Sequence, residues 1–236
     1  MRAEALTHTG LIRPDNEDAF LVDAEKGILA VADGMGGHQA GEVASFLALK
    51  ALAEKLKEGV VDDPLAKLRA AVRFANEVVY RSACLRPEFS GMGTTLTVVW
   101  VVGSQAFLAH VGDSRAYLFR DGHLEALTHD HSYVGELVRS GGLTAEEARL
   151  HPQRNILTRA LGTEADVIVD TGVVELRAGD LLLLCTDGLL EVVKDEEIAE
   201  VLTLNTGLKK AVQSLVELAL ERGGPDNVTV VLGAYE

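Results

Sequence analysis

Cysteine is scarce in this chain of 236 residues, and its two cysteines, Cys84 and Cys185, lie far apart in the sequence. They form no Cys-x-x-Cys pair and offer no disulfide framework, which suits a reducing compartment. The amino-terminal segment has no apolar core of signal-peptide length, and no run approaches the roughly 18 apolar residues of a membrane span. These absences lead us to expect a cytoplasmic protein.

Basic residues are also few, since 22 lysines and arginines stand against 36 aspartates and glutamates and the formal net charge is −14. Binding to a nucleic-acid backbone or to an anionic membrane requires a basic patch. The charge balance therefore predicts neither nucleic acid nor membrane as a partner. Linkers, repeats and low-complexity segments are absent too, so we expect one domain over residues 1–236. We also expect a monomer.

Three motifs of phosphate and ester chemistry are missing from the sequence. No Gly-Lys-Ser/Thr follows the glycine-rich segments, so these segments are not Walker loops. No Gly-x-Ser-x-Gly elbow is present, and neither cysteine is followed by an arginine at the spacing of a thiolate phosphatase. Nucleotide binding of the Walker type and these two kinds of nucleophile are therefore unsupported.

Seven short runs rich in valine, leucine and alanine, bounded by glycine, aspartate or asparagine, predict β-strands. These runs are residues 18–24, 27–33, 94–102, 105–113, 115–128, 180–188 and 227–235. Within the fifth run, Asp121-Gly122 is a strong short-range signal for a β-hairpin.

Helical periodicity predicts two consecutive pairs of helices. They cover residues 41–59, 63–83, 195–202 and 207–224. Asp63 is the expected N-cap of the second helix, Pro64 takes its first position, and Gly223 is the expected C-cap of the last helix. Strands in hairpins and helices in pairs favour an α+β fold. We expect an antiparallel β-sandwich flanked by helix pairs, which is a four-layer α/β/β/α sandwich.

Residues 131–155 interrupt the series of strands. Their sequence predicts two short helices separated by a Gly141-Gly142 break, and the second helix begins with a capping box from Thr144 to Glu147. We expect this segment to be an inserted flap.

Five aspartates lie at the ends of the predicted strands, and they are Asp18, Asp33, Asp113, Asp187 and Asp226. In an antiparallel sheet, the end of one strand lies beside the start of its neighbour, so all five can meet at one rim. Converging carboxylates raise each other's pKa unless charge compensates them. Divalent cations are the economical compensation, and an all-oxygen site suits magnesium or manganese. The alternative is that each aspartate only ends a strand at a turn.

The glycine-rich segment DGMGGH, residues 33–38, follows one of these strands. Glycine lets a ligand or another backbone approach closely. We therefore interpret Asp33 and the carbonyl of Gly34 as cation ligands, with the glycines leaving room for metals and their waters. A tight turn before a helix is the alternative.

Arg13 and His38 lie close in sequence to two of these aspartates. Arginine is the side chain best shaped for bidentate phosphate binding, so Arg13 is a candidate phosphate clamp. His38 is a candidate proton donor to a leaving group. The alternatives are a solvated surface arginine and a structural histidine.

Eight motifs follow one another along the chain. They are RPDNED (13–18), DGMGGHQAGEVAS (33–45), GMGTTL (91–96), HVGDSRAY (110–117), LTHDHS (127–132), NILTRALG (155–162), CTDGL (185–189) and GPDNVT (224–229). In this order they resemble the metal-dependent serine/threonine protein phosphatases of the PPM family, in particular its short bacterial type-2C members. The resemblance covers essentially the whole chain.

This resemblance implies a role for each acid. The core ligands of two divalent metals bridged by water would be Asp33, Asp187, Asp226 and the carbonyl of Gly34. Asp18 would hold metal-bound waters, and Asp113 would join Asp187 at a third, weaker metal.

The implied activity is hydrolysis of phosphoserine and phosphothreonine esters by the water that bridges two manganese or magnesium ions. Arg13 would hold the phosphate, and His38 would assist the leaving group. Phosphorylated proteins, the targets of a serine/threonine kinase, would be the partners, which indicates a role in signal transduction. Two alternatives are a catalytically silent pseudophosphatase that acts as a regulatory binding module and a hydrolase of small phosphoesters.

Overall fold

Two antiparallel sheets pack face to face in a computed structural model that describes residues 1–36, 40–57, 63–205 and 207–236. The β1 sheet has the order β1 (Arg2–His8), β11 (Val228–Ala234), β10 (Leu181–Cys185), β7 (Arg115–Arg120), β8 (His123–Ala126). The β2 sheet has the order β2 (Asp18–Asp23), β3 (Ile28–Met35), β5 (Leu96–Val102), β6 (Gln105–Val111), β9 (Asp170–Glu175), and β4 (Gly93–Thr94) pairs with β3.

Helices cover the outer faces of both sheets. The β2 sheet is covered by α1 (Ala40–Lys57) and α2 (Pro64–Leu85), and the β1 sheet by α6 (Asp195–Leu204) and α7 (Leu208–Glu221). The shorter helices are α3 (Tyr133–Arg139), α4 (Ala145–Leu150) and α5 (Asp187–Leu190), and a 3-10 turn lies at Pro87–Phe89. The predicted four-layer α/β/β/α sandwich is confirmed. No helix among the described residues combines the length and the apolar character that a bilayer crossing requires.

Successive residues of the central strands are buried on opposite faces of their sheet. In β10, Leu182 and Leu184 pack between the two sheets, whereas Leu183 and Cys185 pack against the helices. Because side chains alternate along a strand, a strand that is covered on both faces is apolar throughout. This explains the uninterrupted apolar run LLLLC at residues 181–185.

Two strands that the sequence patterns do not predict, β1 and β9, lie at the edges of their sheets. Their residues are mostly exposed or partly buried, so they carry no continuous apolar run. An edge strand has a neighbour on one side only and is commonly half solvated, which weakens its sequence signal.

The predicted turn and cap residues take the conformations expected of them. Asp121 and Gly122 have φ values of +51° and +80° and join β7 to β8 in a hairpin. The Asp63 carboxylate accepts a hydrogen bond from the Ala66 N–H at 3.0 Å and caps α2. The C-cap of α7 is Arg222, one position before the predicted Gly223, which follows it with φ of +105°.

The flap, residues 131–155, contains α3 and α4 as predicted. Thr144 and Glu147 form the capping box of α4, since the Glu147 N–H donates to Thr144 Oγ1 at 3.2 Å and the Thr144 N–H donates to Glu147 Oε2 at 2.8 Å. Gly141, with φ of +77°, ends α3 in the left-handed conformation that glycine adopts readily.

At the end of β10 away from Asp187, Arg120 and Asp180 form a bidentate ion pair. Arg120 Nε and Nη2 donate to Asp180 Oδ1 and Oδ2 at 2.8 and 2.6 Å, and Nη2 also donates to the Glu175 carbonyl of the β2 sheet. The Asp180 side chain is only 2% exposed. Burial alone would raise the pKa of Asp180, but hydrogen bonds from Arg120 and from the Arg177 N–H lower it below its ordinary value.

We expect Asp180→Asn to lower the free energy of unfolding at pH 7 by about 1–3 kcal/mol, because a charged bidentate pair is lost. A carboxyl group with a depressed folded pKa contributes stability above its unfolded pKa and loses that contribution as the pH falls through the folded pKa. The difference between variant and parent should therefore shrink below about pH 4. Urea denaturation at neutral and acidic pH measures both effects.

The control for this measurement is Asp166→Asn, because the Asp166 side chain is 81% exposed and lies 4.0 Å from its partner Arg73. It should change the free energy of unfolding by less than about 0.5 kcal/mol. A difference for Asp180→Asn that stays the same at every pH would contradict the linkage.

Candidate metal centre

The five predicted aspartates lie at one end of the sandwich, where both sheets contribute. Asp18 and Asp33 face each other in register in β2 and β3. Asp187 follows β10 as the first residue of α5, and Asp226 precedes β11, the antiparallel neighbour of β10. Asp113 lies in the turn between β6 and β7. The rim therefore crosses two sheets, whereas the sequence argument used neighbours within one sheet.

Asp18 links the two sheets at this rim. Its Oδ2 accepts hydrogen bonds from the hydroxyls of Thr186 and Thr229, which belong to the β1 sheet side, at 2.8 and 2.7 Å. Within the described residues, the only buried side-chain oxygen or nitrogen atoms without a hydrogen-bond partner are Asp18 Oδ1 and Asp187 Oδ1. A buried polar atom without a partner is costly, and a bound cation would satisfy both of these oxygens.

Withdrawal from water and mutual repulsion raise the pKa of the clustered carboxyls. Burial raises the pKa of Asp18 to about 7, and the charges of Asp187 and Asp226 add to this effect. Burial likewise raises the pKa of Asp187 to about 7 and holds the pKa of Asp33 and of Asp113 well above the ordinary value. The neighbouring charges of Asp18, Asp187 and Asp113 add to the effect of burial on the pKa of Asp33. The cluster thus retains protons that a cation would replace.

The carboxylates do not form a finished metal site by themselves. In the part of the chain that the structure describes, no three histidine, cysteine, aspartate or glutamate side chains are arranged to hold a metal ion. Asp226 Oδ2 instead accepts a hydrogen bond from Arg13 Nη2 at 2.6 Å, and Asp18 Oδ2 accepts hydrogen bonds from Thr186 and Thr229. The donor set still fits magnesium or manganese, because it consists of carboxylate and carbonyl oxygens. Cation binding would exchange these internal contacts for metal contacts.

The glycines after Asp33 serve close packing between β3 and the start of α1. A Cβ at Gly34 would lie 2.1 Å from the Gly41 carbonyl oxygen, and a Cβ at Gly41 would lie 2.5 Å from Glu17 Oε1. The sequence interpretation considered only room for metals and their waters. Close packing is a further requirement at Gly34 and Gly41. His38, the predicted proton donor, lies outside the described residues.

Glu17 has a structural role that the sequence does not indicate. Its carboxylate lies beside Gly41 at the start of α1, where a negative charge is favoured by the helix dipole. Its carbonyl accepts a hydrogen bond from the buried Ser45 hydroxyl at 2.7 Å. Glu17 thus fixes the start of α1 against the strand that carries Asp33.

Asn227 holds the loop that carries Arg13. Its Nδ2 donates to the carbonyls of Thr9 and Asp15 at 2.8 and 2.9 Å, and its Oδ1 accepts from the Glu17 N–H at 2.8 Å. The Arg13 side chain is 49% exposed and extends over the rim to Asp226. The predicted phosphate clamp therefore lies beside the acids, on an anchored loop, with its guanidinium partly open to solvent.

A cavity of about 600 Å³ opens beside the rim, between the flap and the segment that carries α5 and α6. Asp113 and Asp187 line part of it, and Val134, Val138 and Leu190 contribute apolar surface. This volume is within the range of ordinary ligand sites. The two acids can therefore be reached from a cleft that accepts a small ligand or a side chain.

The chain is similar to proteins of known family. Residues 8–226 match the family model described as Protein phosphatase 2C. The serine/threonine protein phosphatase PstP of Mycobacterium tuberculosis is 47% identical over 232 residues, covering 98% of this chain and 44% of that protein. The serine/threonine phosphatase stp of Listeria monocytogenes is 41% identical over 239 residues, covering 98% of this chain and 95% of that protein. The chain thus spans less than half the length of the mycobacterial relative.

A solved relative shares the fold. The crystal structure of the PstP catalytic domain in complex with two manganese ions matches this chain with a TM-score of 0.88 and 44% identity. The match covers 98% of this chain and 96% of that one. This similarity confirms the α+β sandwich.

We expect Asp33→Asn to weaken manganese binding by at least about 100-fold, because even residues that only support a metal ligand contribute 10–100-fold to affinity. Calorimetric titration with manganese chloride measures the affinity and the stoichiometry. The matched control is Asp23→Asn, at the opposite end of β2, where Asp23 pairs with Lys26. Unchanged manganese affinity in Asp33→Asn would show that this rim is not the metal centre.

Proposed function

The chain belongs to the protein phosphatase 2C family, and from this premise we propose that it is a metal-dependent phosphatase of phosphoserine and phosphothreonine residues in proteins. The observation in this chain that carries the proposal is the crowded carboxylate rim with two unpartnered oxygens, on Asp18 and Asp187. The activities for which the mycobacterial and listerial relatives are named support the same chemistry. The substrates would be proteins phosphorylated by a serine/threonine kinase.

The rim supplies ligands for two divalent cations, the number of manganese ions bound in the solved relative. We assign the core ligands to Asp33, Asp187, Asp226 and the carbonyl of Gly34. Asp18, fixed by Thr186 and Thr229, would hold waters around the metals, and Asp113 with Asp187 would serve a third, weaker site. When bound, the cations supply an acidified water and positive charge for the phosphate at neutral pH.

Arg13 would bind the phosphate of the substrate. Its guanidinium donates one hydrogen bond to Asp226, and a cation that neutralised Asp226 would release that Nη2 N–H for a phosphate oxygen. Because Asn227 anchors the loop, the guanidinium is positioned before the substrate arrives. His38, outside the described residues, stays assigned to protonating the departing serine or threonine oxygen.

The two alternative functions, a pseudophosphatase and a hydrolase of small phosphoesters, predict different features of the chain. A pseudophosphatase would be expected to have lost a ligand, yet every assigned aspartate is present in the sequence. A hydrolase of small phosphoesters could use the same metals. The cavity of about 600 Å³ between the flap and α5–α6 extends the site beyond the acids, which favours a substrate with flanking residues.

Phosphate release from a phosphothreonine peptide should stop in EDTA and return when manganese or magnesium is added. The reason is that the single positive charge of Arg13 does not offset the negative charges of the clustered acids. Free nucleotides should be hydrolysed much more slowly by the same preparation. Full activity in a preparation verified to be free of metal would rule out the metal mechanism. Equal turnover of nucleotides would instead favour the small-ester hydrolase.

Arg13→Ala should raise KM for p-nitrophenyl phosphate by about tenfold or more, because a charged hydrogen bond to the phosphate is lost in both ground and transition states. The melting temperature should change little, since the side chain is 49% exposed. Arg2→Ala is the control, because Arg2 pairs with Glu236 in a different part of the molecule. Wild-type kinetic constants in Arg13→Ala would remove Arg13 from the site.

A further inference from the structure

His131 is buried at the base of the flap and is hydrogen-bonded to the residue before Asp113. Its side chain is only 1% exposed. The His131 N–H donates to the Gly112 carbonyl at 2.7 Å, and the Gly112 N–H donates back to His131 Nδ1 at 3.1 Å. These two bonds join the start of the flap to the turn that carries Asp113.

The other side of the His131 ring is connected to the end of the flap. Because Nδ1 accepts a hydrogen bond, the ring proton lies on Nε2, which donates to Asp170 Oδ2 at 3.0 Å. Asp170 Oδ1 accepts from Arg159 Nη1 at 2.8 Å, and the His131 carbonyl accepts from the Thr158 N–H at 2.8 Å. Arg159 and Thr158 lie where the chain returns from the flap. His131 therefore contacts both ends of the flap and the Asp113 turn.

The Asp113 turn is fixed on its other side as well. Ser114 and Thr95 are hydrogen-bonded through their hydroxyls at 2.7 Å, and Thr95 Oγ1 accepts from the Asp33 N–H at 2.9 Å. Gly112 has φ of +113°, and a Cβ there would lie 2.5 Å from the Thr95 side chain. The turn that carries Asp113 is thus held between His131 on one side and Thr95, next to β3, on the other.

We propose that His131 is a positioning residue that couples the flap to Asp113 through the chain Arg159, Asp170, His131 and Gly112. A displacement of the flap would move His131 and with it the Asp113 carboxylate relative to Asp187. The rate of the reaction would then depend on how the flap is held, even for a substrate too small to touch the flap. This catalytic consequence rests on the proposed phosphatase function, whereas the mechanical coupling does not.

Amide hydrogen exchange followed by NMR tests the coupling without any assay of activity. In Asp170→Ala, which removes the anchor of the His131 ring, the Gly112 amide should exchange about tenfold faster or more, because it loses a fixed acceptor. Asp166→Ala is the matched control, since Asp166 is an exposed aspartate of the same segment that pairs with Arg73 and not with His131. Unchanged protection of Gly112 in Asp170→Ala would overturn the proposal. Asp170→Leu, which also removes the acceptor but keeps most of the side-chain volume, gives the same comparison if the alanine variant fails to fold.

A double-mutant cycle with Asp113→Ala tests whether the effect on the rate passes through Asp113. With p-nitrophenyl phosphate as substrate, Asp170→Ala should lower kcat about tenfold in the parent, in line with other residues that orient a metal ligand. In the Asp113→Ala background the same change should lower kcat less than about twofold. Equal factors in both backgrounds would overturn the coupling and indicate a general loss of structure.

Failure of the proposed function looks different from failure of the coupling. A manganese-loaded parent that hydrolyses no phosphoester would contradict the phosphatase assignment, and the exchange rate of Gly112 would then decide the positioning role alone. An active parent with equal kcat factors would leave the phosphatase assignment standing and reject the role of His131.

Discussion

Repulsion among carboxylates at the junction of two sheets is the constraint on which this site depends. The acids are held near one another by the hydroxyls bonded to Asp18 and by Arg13 on Asp226. Each of these contacts occupies an oxygen that a cation could bind, or a guanidinium that a phosphate could bind. Binding of a cation would therefore reduce the repulsion among the carboxylates. This gain in free energy would strengthen the binding of the cation.

The position of the five aspartates at strand ends could be predicted from the sequence, because it depends on residues that are neighbours in the chain. Pairing of strand ends within one sheet accounts for Asp18 beside Asp33 and for Asp187 near Asp226, whereas the docking of the two sheets brings these two pairs together. The central strands, covered on both faces, gave unbroken apolar runs such as residues 181–185. Turn and cap signals at Asp121 and Asp63 were correct because they depend on backbone geometry within a few residues.

What the sequence did not show depends on contacts between distant residues or on solvation. The hydroxyl of Thr186 and the carboxylate of Asp18 are separated by 168 positions, and no spacing rule connects them. Asn227, Glu17 and His131 stand inside motifs that were noticed for their neighbours, yet their own partners are known only from the packed structure. The edge strands β1 and β9 lack a continuous apolar signal because one side of each faces solvent.

The bonds from Thr186 and Thr229 to Asp18 also bear on how the chain folds. One sheet carries Asp18 and Asp33 and the other is flanked by Asp187 and Asp226, so a chain with only one sheet formed lacks half of the proposed ligands. A cation would bind only after the two sheets dock, and at a free concentration 100 times its dissociation constant it would stabilise the docked state by about 2.7 kcal/mol per site. The supply of manganese would then decide how long a newly made chain stays exposed to proteases.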